Sequence, residues 1–317
     1  MDDSLYNSIV RAIVFFDIFG HPLTDRELFE YLYHPPTRPK LDFQDFIFKT
    51  RGFSDHRITC TLGMWHLTGR DALISEHTER SVHIPQKLKK LTKAAKLMSY
   101  VPFVRAVFVC NTFAFNAADS DSDIDVFIIV KSGHMWTARI MTTFLMSVFR
   151  LRRTRKRIKD QICLSFYLAD RMLNISKFKI KNDVYLSYWL WTLIPVYDPD
   201  HLANSILRAN QELLSPFFLH SRHIEPVLTI PFHRHTAKKI LARIMELIFQ
   251  GERGRWLENM VRAPQRRKIM RNTSSLVHAK DTRVVVNDSV LKFHENDRRA
   301  LYRDEWNKRL EEMGIPT

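Results

Sequence analysis

Apolar residues recur along the first fifty positions at the spacing of helix faces. Leu5, Ile9, Ile13, Phe16 and Ile18 mark one stripe, which Gly20 ends, and together they predict a first helix. Thr24 followed three residues later by Glu27 forms a capping box. The hydroxyl takes the Glu27 amide while the carboxylate reaches back to the Thr24 amide, so a second helix starts there. After the break in "HPPTRP", Leu41 to Thr50 fits a third short helix, and "RITCTLGMWHLTG" around Gly63 predicts two short strands joined by a turn. A basic helix "IPQKLKKLTKAAKLMSYV" follows, then strands "VRAVFVC" and "DVFIIV", a helix over about 134–151 and a third strand "ICLSFYL". Beyond them "NDVYLSYWLWTLIPVYD", "HLANSILRANQELLSPFF" and "TAKKILARIMELIFQ" predict helices. The segment "TRVVVNDSVLKFHENDRRALYRDEWNKRLEEMG" predicts one short strand, a polar turn and a last helix. This succession predicts an α/β (α+β) protein with a mixed sheet, flanking helices and a mostly helical C-terminal region.

Three helices and a hairpin within residues 1–80 resemble a winged-helix domain. Its third helix, "LDFQDFIFK", carries Asp42, Asp45 and three phenylalanines where a DNA reader presents Arg, Lys, Asn or Gln. That composition favours packing against a neighbouring domain or a protein partner over a DNA groove, with nucleic-acid contact through the wing or the Arg51 side as the alternative.

The most informative stretch is "FNAADSDSDIDVFIIV", residues 115–130, which sets carboxylates on the edge of a strand that must become buried. Successive strand side chains point to opposite faces, so Asp123 and Asp125 project from one face and sit close together. Paired carboxylates repel and raise one pKa unless a cation neutralises them. Mg²⁺ (or Mn²⁺) suits the position, because it takes one or two carboxylates together with substrate phosphates and water. On spacing alone, a solvated strand end decorated with Asp and Ser remains the alternative.

The strand "VRAVFVC" followed by "NTFAFNAADSDSDID" resembles the nucleotidyltransferase superfamily that includes DNA polymerase beta, kanamycin nucleotidyltransferase and the CCA-adding enzymes. The small bacterial members run strand, Gly-Ser, x, Ala, x, Gly, a variable stretch, then Ser-Asp-hydrophobic-Asp. Asn111 and Thr112 stand in the Gly-Ser places, Ala114 matches the alanine, Asn116 replaces the second glycine, and Ser122, Asp123, Ile124 and Asp125 fit the remainder. The resemblance covers residues 85–200 and implies a nucleotidyltransferase-like domain there, with the winged helix over 1–80 and a C-terminal region over 201–317. It also implies that the Asn111–Thr112 turn and Ser122 meet nucleotide phosphates, and that a third carboxylate comes from a neighbouring strand. "ICLSFYL" offers Cys163 and Ser165 instead, which leaves Asp160, just ahead of that strand, as the substitute acid. The chain also looks like nucleotidyltransferase-domain proteins of bacteria that begin with a winged helix. The implied activity moves a nucleoside monophosphate from an NTP to an acceptor hydroxyl. The lost glycines and missing acid leave open a catalytically impaired nucleotide-binding regulatory or scaffold protein.

Charge adds a partner. Lys and Arg number 49 against 34 Asp and Glu, for a net charge of +15. Such a balance points to a polyanion such as RNA. "RLRRTRKRIK" concentrates Arg152, Arg153, Arg155, Lys156 and Arg157 beside the expected phosphate site, as a polyanion contact or a solvated loop. "GRWLENMVRAPQRRKIMR" adds cations near Trp256, on a helix that suits either charge and stacking or packing on the sheet. Near the C-terminus Lys292 and His294 flank Phe293; in an extended segment they share one face and could reach a triphosphate, while Asn296 or Asp297 caps the last helix. His233 and His235 lack Cys or His partners at ligand spacing and are expected to be surface histidines.

Three scattered cysteines, an acidic start where a signal peptide would be basic, and no apolar run of spanning length predict a reduced cytoplasmic chain without a membrane partner.

Overall fold

The computed structural model describes residues 2–36, 41–217, 242, 244–271, 276–278 and 281–316. The predicted His233 and His235, and the first six residues and Arg243 of the predicted helix "TAKKILARIMELIFQ", lie outside the described residues.

The N-terminal third contains α1 (Asp3–Asp17), α2 (Asp25–Glu30) and α3 (Phe43–Thr50), with strands β1 (Leu23–Thr24), β2 (Ile58–Thr61) and β3 (Met64–Leu67). Asp2 caps α1 by accepting the Leu5 amide at 2.8 Å, and the Thr24–Glu27 capping box starts α2 as expected. The hairpin β2–β3 gains β1 as a third antiparallel strand, in the order β1-β3-β2. The three helices and the hairpin stand where the hydrophobic pattern placed them. Helix α1 buries far more than the predicted stripe, since Val10, Val14 and Phe15 are covered as well.

The extra burial comes from the rest of the chain. Phe15 stacks on Tyr188 with centroids 4.0 Å apart, and Phe16 meets Phe115 edge-on at 5.4 Å. Tyr188 and Trp191 donate to the carbonyls of Tyr31 and Glu30 at 2.9 and 2.7 Å. Aromatic area of this size dominates the energetics of an interface, so the N-terminal unit is fastened to α8 (Val184–Trp191) by a shared core.

Two helices, α4 (Ala72–Ser81) and the basic α5 (Ile84–Met98), lead into the main sheet. Its six strands are β4 (Val104–Val109), β5 (Ile124–Val130), β6 (Ile162–Ala169), β7 (Ile194–Tyr197), β8 (Val284–Val286) and β9 (Val290–Phe293). The order is β7-β4-β5-β6-β9-β8, with only β5 and β6 parallel. The protein is therefore a mixed α+β fold, as expected.

Between strands lie the single turn α6 (Asn111–Ala114), then α7 (Met135–Val148), α9 (Leu202–Ala209) and α10 (Gln211–Leu214). The long α11 (Gly251–Met270) and the last helix α12 (Arg299–Glu312) follow. One sheet face packs on α8 through Phe127, Phe166 and Trp189; the other packs on α5 and α7 through Val126, Ile128 and Trp136.

Two strands escaped the hydrophobic pattern. "IPVY" forms β7 rather than the end of a helix, because the fixed φ of Pro195 cannot continue α8 and suits an edge position. "VLKF" forms β9, which pairs with β6 and with β8. The sheet thus takes its last two strands from the region that looked mostly helical. Among the described residues no helix is long and apolar enough to cross a membrane.

Candidate functional site

Residues of β5, β6 and β9 and of the turn after β4 line one cleft of 510 Å³ between the sheet, α8 and the turn before α12. At one end β5 brings Asp125 into the cleft and β6 brings Cys163, which pairs directly across from it, while Asp123 stands just ahead of β5 and outside the cleft lining. Ligand atoms of these three side chains lie within 4.8 Å of one another. Burial and the neighbouring Asp123 carboxylate raise Asp125 above the usual carboxylate range, against the pull of a hydrogen bond from Asn111. Burial, followed by the charges of Asp125 and Asp123, pushes the Cys163 thiol far up. Asp123 Oδ2 is buried and accepts no hydrogen bond, although the Arg153 guanidinium stands 3.0 Å away. A buried carboxylate oxygen met by one guanidinium alone, beside a second carboxylate, fits a hard divalent cation of the Mg²⁺ or Mn²⁺ kind. The neutral thiol is a poor ligand for such an ion, so the two aspartates would hold it.

The loop between β4 and β5 carries the two asparagines expected to stand in glycine places. Asn111 and Asn116 adopt φ of +58° and +59°. This is the left-handed region that glycine favours and asparagine tolerates best among the other residues. The Asn111 side chain turns back into the protein, donating to Asp125 Oδ2 at 2.7 Å and accepting from the Tyr185 hydroxyl at 3.1 Å. It orients the carboxylate and draws the amide away from the loop's outer face. Thr112 lines the cleft beside it.

Ser122 does not line the cleft. Its hydroxyl donates to the Asp119 carbonyl at 2.8 Å, and its own carbonyl accepts from Lys87 Nζ at 2.6 Å and from the Asp160 amide at 3.0 Å. It therefore shapes the turn that presents Asp123. Asp160 is also committed elsewhere, bonded to Lys87 at 2.9 Å and Lys90 at 3.1 Å. Burial would raise this carboxyl, but the two ammonium groups outweigh it and lower it. The ion pair ties α5 to the start of β6, and Asp160 stands outside both the cleft lining and the Asp123–Asp125–Cys163 group. The expected substitute acid is thus structural.

At the other end of the cleft Lys292 projects from β9 and His294 from the residue that follows it, while the Phe293 ring packs under the Arg139 guanidinium at 5.0 Å on the opposite face. This is the alternation expected of them. Lys292 is buried and bonds the Thr282 carbonyl at 2.7 Å and Asp297 at 3.2 Å. Burial and the charge of Arg299 push its ammonium down to about 8. Asp297 is pulled down to about 2: burial would raise it, but Arg299 and Lys292 prevail.

Arg299 also bonds Asp183, the N-cap of α8, at 2.9 Å. Neither Asn296 nor Asp297 occupies the cap position of α12, which falls on Arg298; Asp297 bonds the Arg299 amide at 3.1 Å instead. Sequence reasoning missed this network. Its signal was the density of charges in "HENDRR" beside a buried strand.

The cleft wall between the two ends is aromatic, with Phe19, Phe166, Phe178, Tyr185, Trp189 and Tyr302. Arg152, Arg155, Lys156 and Arg157 lie exposed on the loop from α7 to β6, and Arg153 alone of that run lines the cleft, 3.5 Å from Cys163 Sγ. In α11, Trp256 is exposed while Glu258 points inward and bonds the amides of Trp136 and Thr137. That helix packs on α7 and presents its cations outward. Compared with family models, with curated proteins and with solved structures, the chain matches none of them.

Proposed function

We propose that the chain is a metal-dependent nucleotidyltransferase, moving a nucleoside monophosphate from an NTP to an acceptor hydroxyl. The observation that carries this reading is the paired Asp123 and Asp125, the second of which lines an aromatic cleft, next to a loop whose two asparagines take the left-handed backbone that glycine favours. Asp123 and Asp125 would hold Mg²⁺ or Mn²⁺. When bound, the ion supplies Lewis-acid polarisation of the α-phosphate and charge for the leaving pyrophosphate. Asn111 orients Asp125, Thr112 faces the phosphates, and the aromatic wall offers a surface on which a base stacks. The exposed Arg152, Arg155, Lys156 and Arg157, with Arg153, continue the cleft as a track for a polyanionic acceptor, with RNA as the fitting class.

A second reading has its own support. Cys163 stands where the family's third acid is expected, and Arg153 already places a cation on Asp123. A nucleotide-binding regulatory or scaffold protein would keep the first half of the chemistry and lose the second, with the N-terminal unit available to a protein partner.

Incubating the pure chain with each α-labelled NTP, Mg²⁺ or Mn²⁺, and total RNA or cell extract separates the two. Labelled product supports transfer. Metal-dependent binding without any labelled product supports the second reading, and absence of nucleotide binding overturns both.

A further inference from the structure

Strand β6 has one residue more than β5 over the stretch that leaves the acid end of the cleft: Asp125 pairs with Cys163, but Phe127 pairs with Phe166. Bulges of this kind re-aim a side chain. Here Ser165 and Phe166 both line the cleft, where strict alternation would have sent one of them to the opposite face. Across from the bulge β9 ends, and His294 Nε2 lies 3.3 Å from Ser165 Oγ. The ring is steadied edge-on against Phe166 at 5.9 Å, and the His294 amide bonds the Arg283 carbonyl at 3.3 Å. A hydroxyl and an imidazole in hydrogen-bond reach inside a cleft form the nucleophile–base arrangement of covalent catalysis. Burial and the Lys292 ammonium push His294 down to about 4. At neutral pH the imidazole is therefore uncharged and able to accept a proton. Cys163 is the other nucleophile in reach, but its thiol stays protonated and lies against Arg153.

We propose that Ser165 is itself a nucleotidyl acceptor, an inference that rests on the NTP-binding reading of the Asp123–Asp125 end. His294 Nε2 takes the proton from Ser165 Oγ as that oxygen bonds to the α-phosphorus. The α–β anhydride bond breaks, and pyrophosphate leaves with the electron pair. The product is a phosphodiester joining Ser165 to the nucleoside, and the imidazolium returns its proton to solvent. The step needs no oxidant, reductant or second substrate.

The test uses the full chain, NTPs radioactive at the α-phosphorus and Mg²⁺ or Mn²⁺, read by denaturing gel and by peptide mass. The wild type gains one nucleoside monophosphate on the peptide that contains Ser165. Ser165→Ala removes the adduct, Ser165→Thr restores it at a lower rate, and His294→Gln slows it by about 100-fold, the low end of what a general base contributes. Unaltered melting temperatures in these variants keep the comparison one of chemistry. Labelling that persists in Ser165→Ala, or metal-dependent NTP binding by the wild type with no adduct on Ser165, overturns the inference and leaves the NTP-binding reading in place. A wild type that binds no NTP overturns both.

Discussion

At one end of the cleft Asp123 and Asp125 face each other, with a buried oxygen that accepts no hydrogen bond. At the other, Asp183 and Asp297 both meet Arg299 at 2.9 Å, and Asp297 also meets Lys292. Both ends are partly or wholly buried and both carry two carboxylates. The difference is that the second end has been closed electrostatically by the protein's own cations, and the first has only Arg153 from an exposed loop. Buried charge with full partners holds elements together; buried charge with a partner missing is poised for a ligand.

The largest expected effect breaks the closed end. Arg299→Met leaves Asp183 and Asp297 buried without their shared partner and should cost about 3–5 kcal/mol, the usual penalty for breaking a buried pair. Denaturant unfolding of the variant measures it. A loss under about 1 kcal/mol would mean that the network is solvated in solution.

The open end should behave in the opposite sense. Converting Asp123 and Asp125 to Asn together removes a repulsion, so stability at neutral pH should change by no more than about 1 kcal/mol, towards stabilisation. Acid titration sharpens the contrast through its sign. Asp125 is raised in the folded chain, so lowering the pH protonates it and relieves strain, and the advantage of the double Asn variant shrinks in acid.

His294 and Asp297 are both lowered, so the unfolded chain binds protons before the folded one does. Stability from His294 is complete above its ordinary value of about 6.5 and is lost as pH falls to about 4. That from Asp297 goes as pH falls from its ordinary value to about 2. Melting temperature against pH should therefore decline below 6.5 in the wild type and decline less in His294→Gln, which removes the first step.

The smallest effect concerns the loop beside the open end. If Arg152, Arg155, Lys156 and Arg157 follow an RNA backbone, neutralising them should flatten the salt dependence of RNA affinity by a log-log slope of about 0.7 per lost single-strand phosphate contact. A filter-binding series across salt concentrations reads this slope. An affinity that ignores salt assigns the run to a solvated loop.

What the sequence made legible follows from the range of each interaction. Helix starts set by local caps, such as Thr24 with Glu27, were readable because both partners sit within one turn. The Asp123–Asp125 juxtaposition was readable from strand alternation, as was the shared face of Lys292 and His294. Strand β9 itself was hidden, since it is only four residues long and its partner β6 lies more than a hundred residues away. Asp160 misled for the same reason: its position ahead of β6 suggested the cleft, but Lys87 and Lys90 claim it from a helix some seventy residues earlier in the chain. The Ser165–His294 contact depends on a bulge, which no periodicity reports.

The central claim is that Asp123 and Asp125 are held open for a divalent ion and the nucleotide it brings. Calorimetric titration of NTP in the presence and absence of Mg²⁺ or Mn²⁺, on the wild type and on the double Asn variant, tests it most directly. The account predicts wild-type binding that weakens at least about tenfold, some 1.4 kcal/mol, when the ion is chelated, and a folded variant that no longer responds to the ion. Metal-dependent NTP binding that survives unchanged in the variant would contradict it.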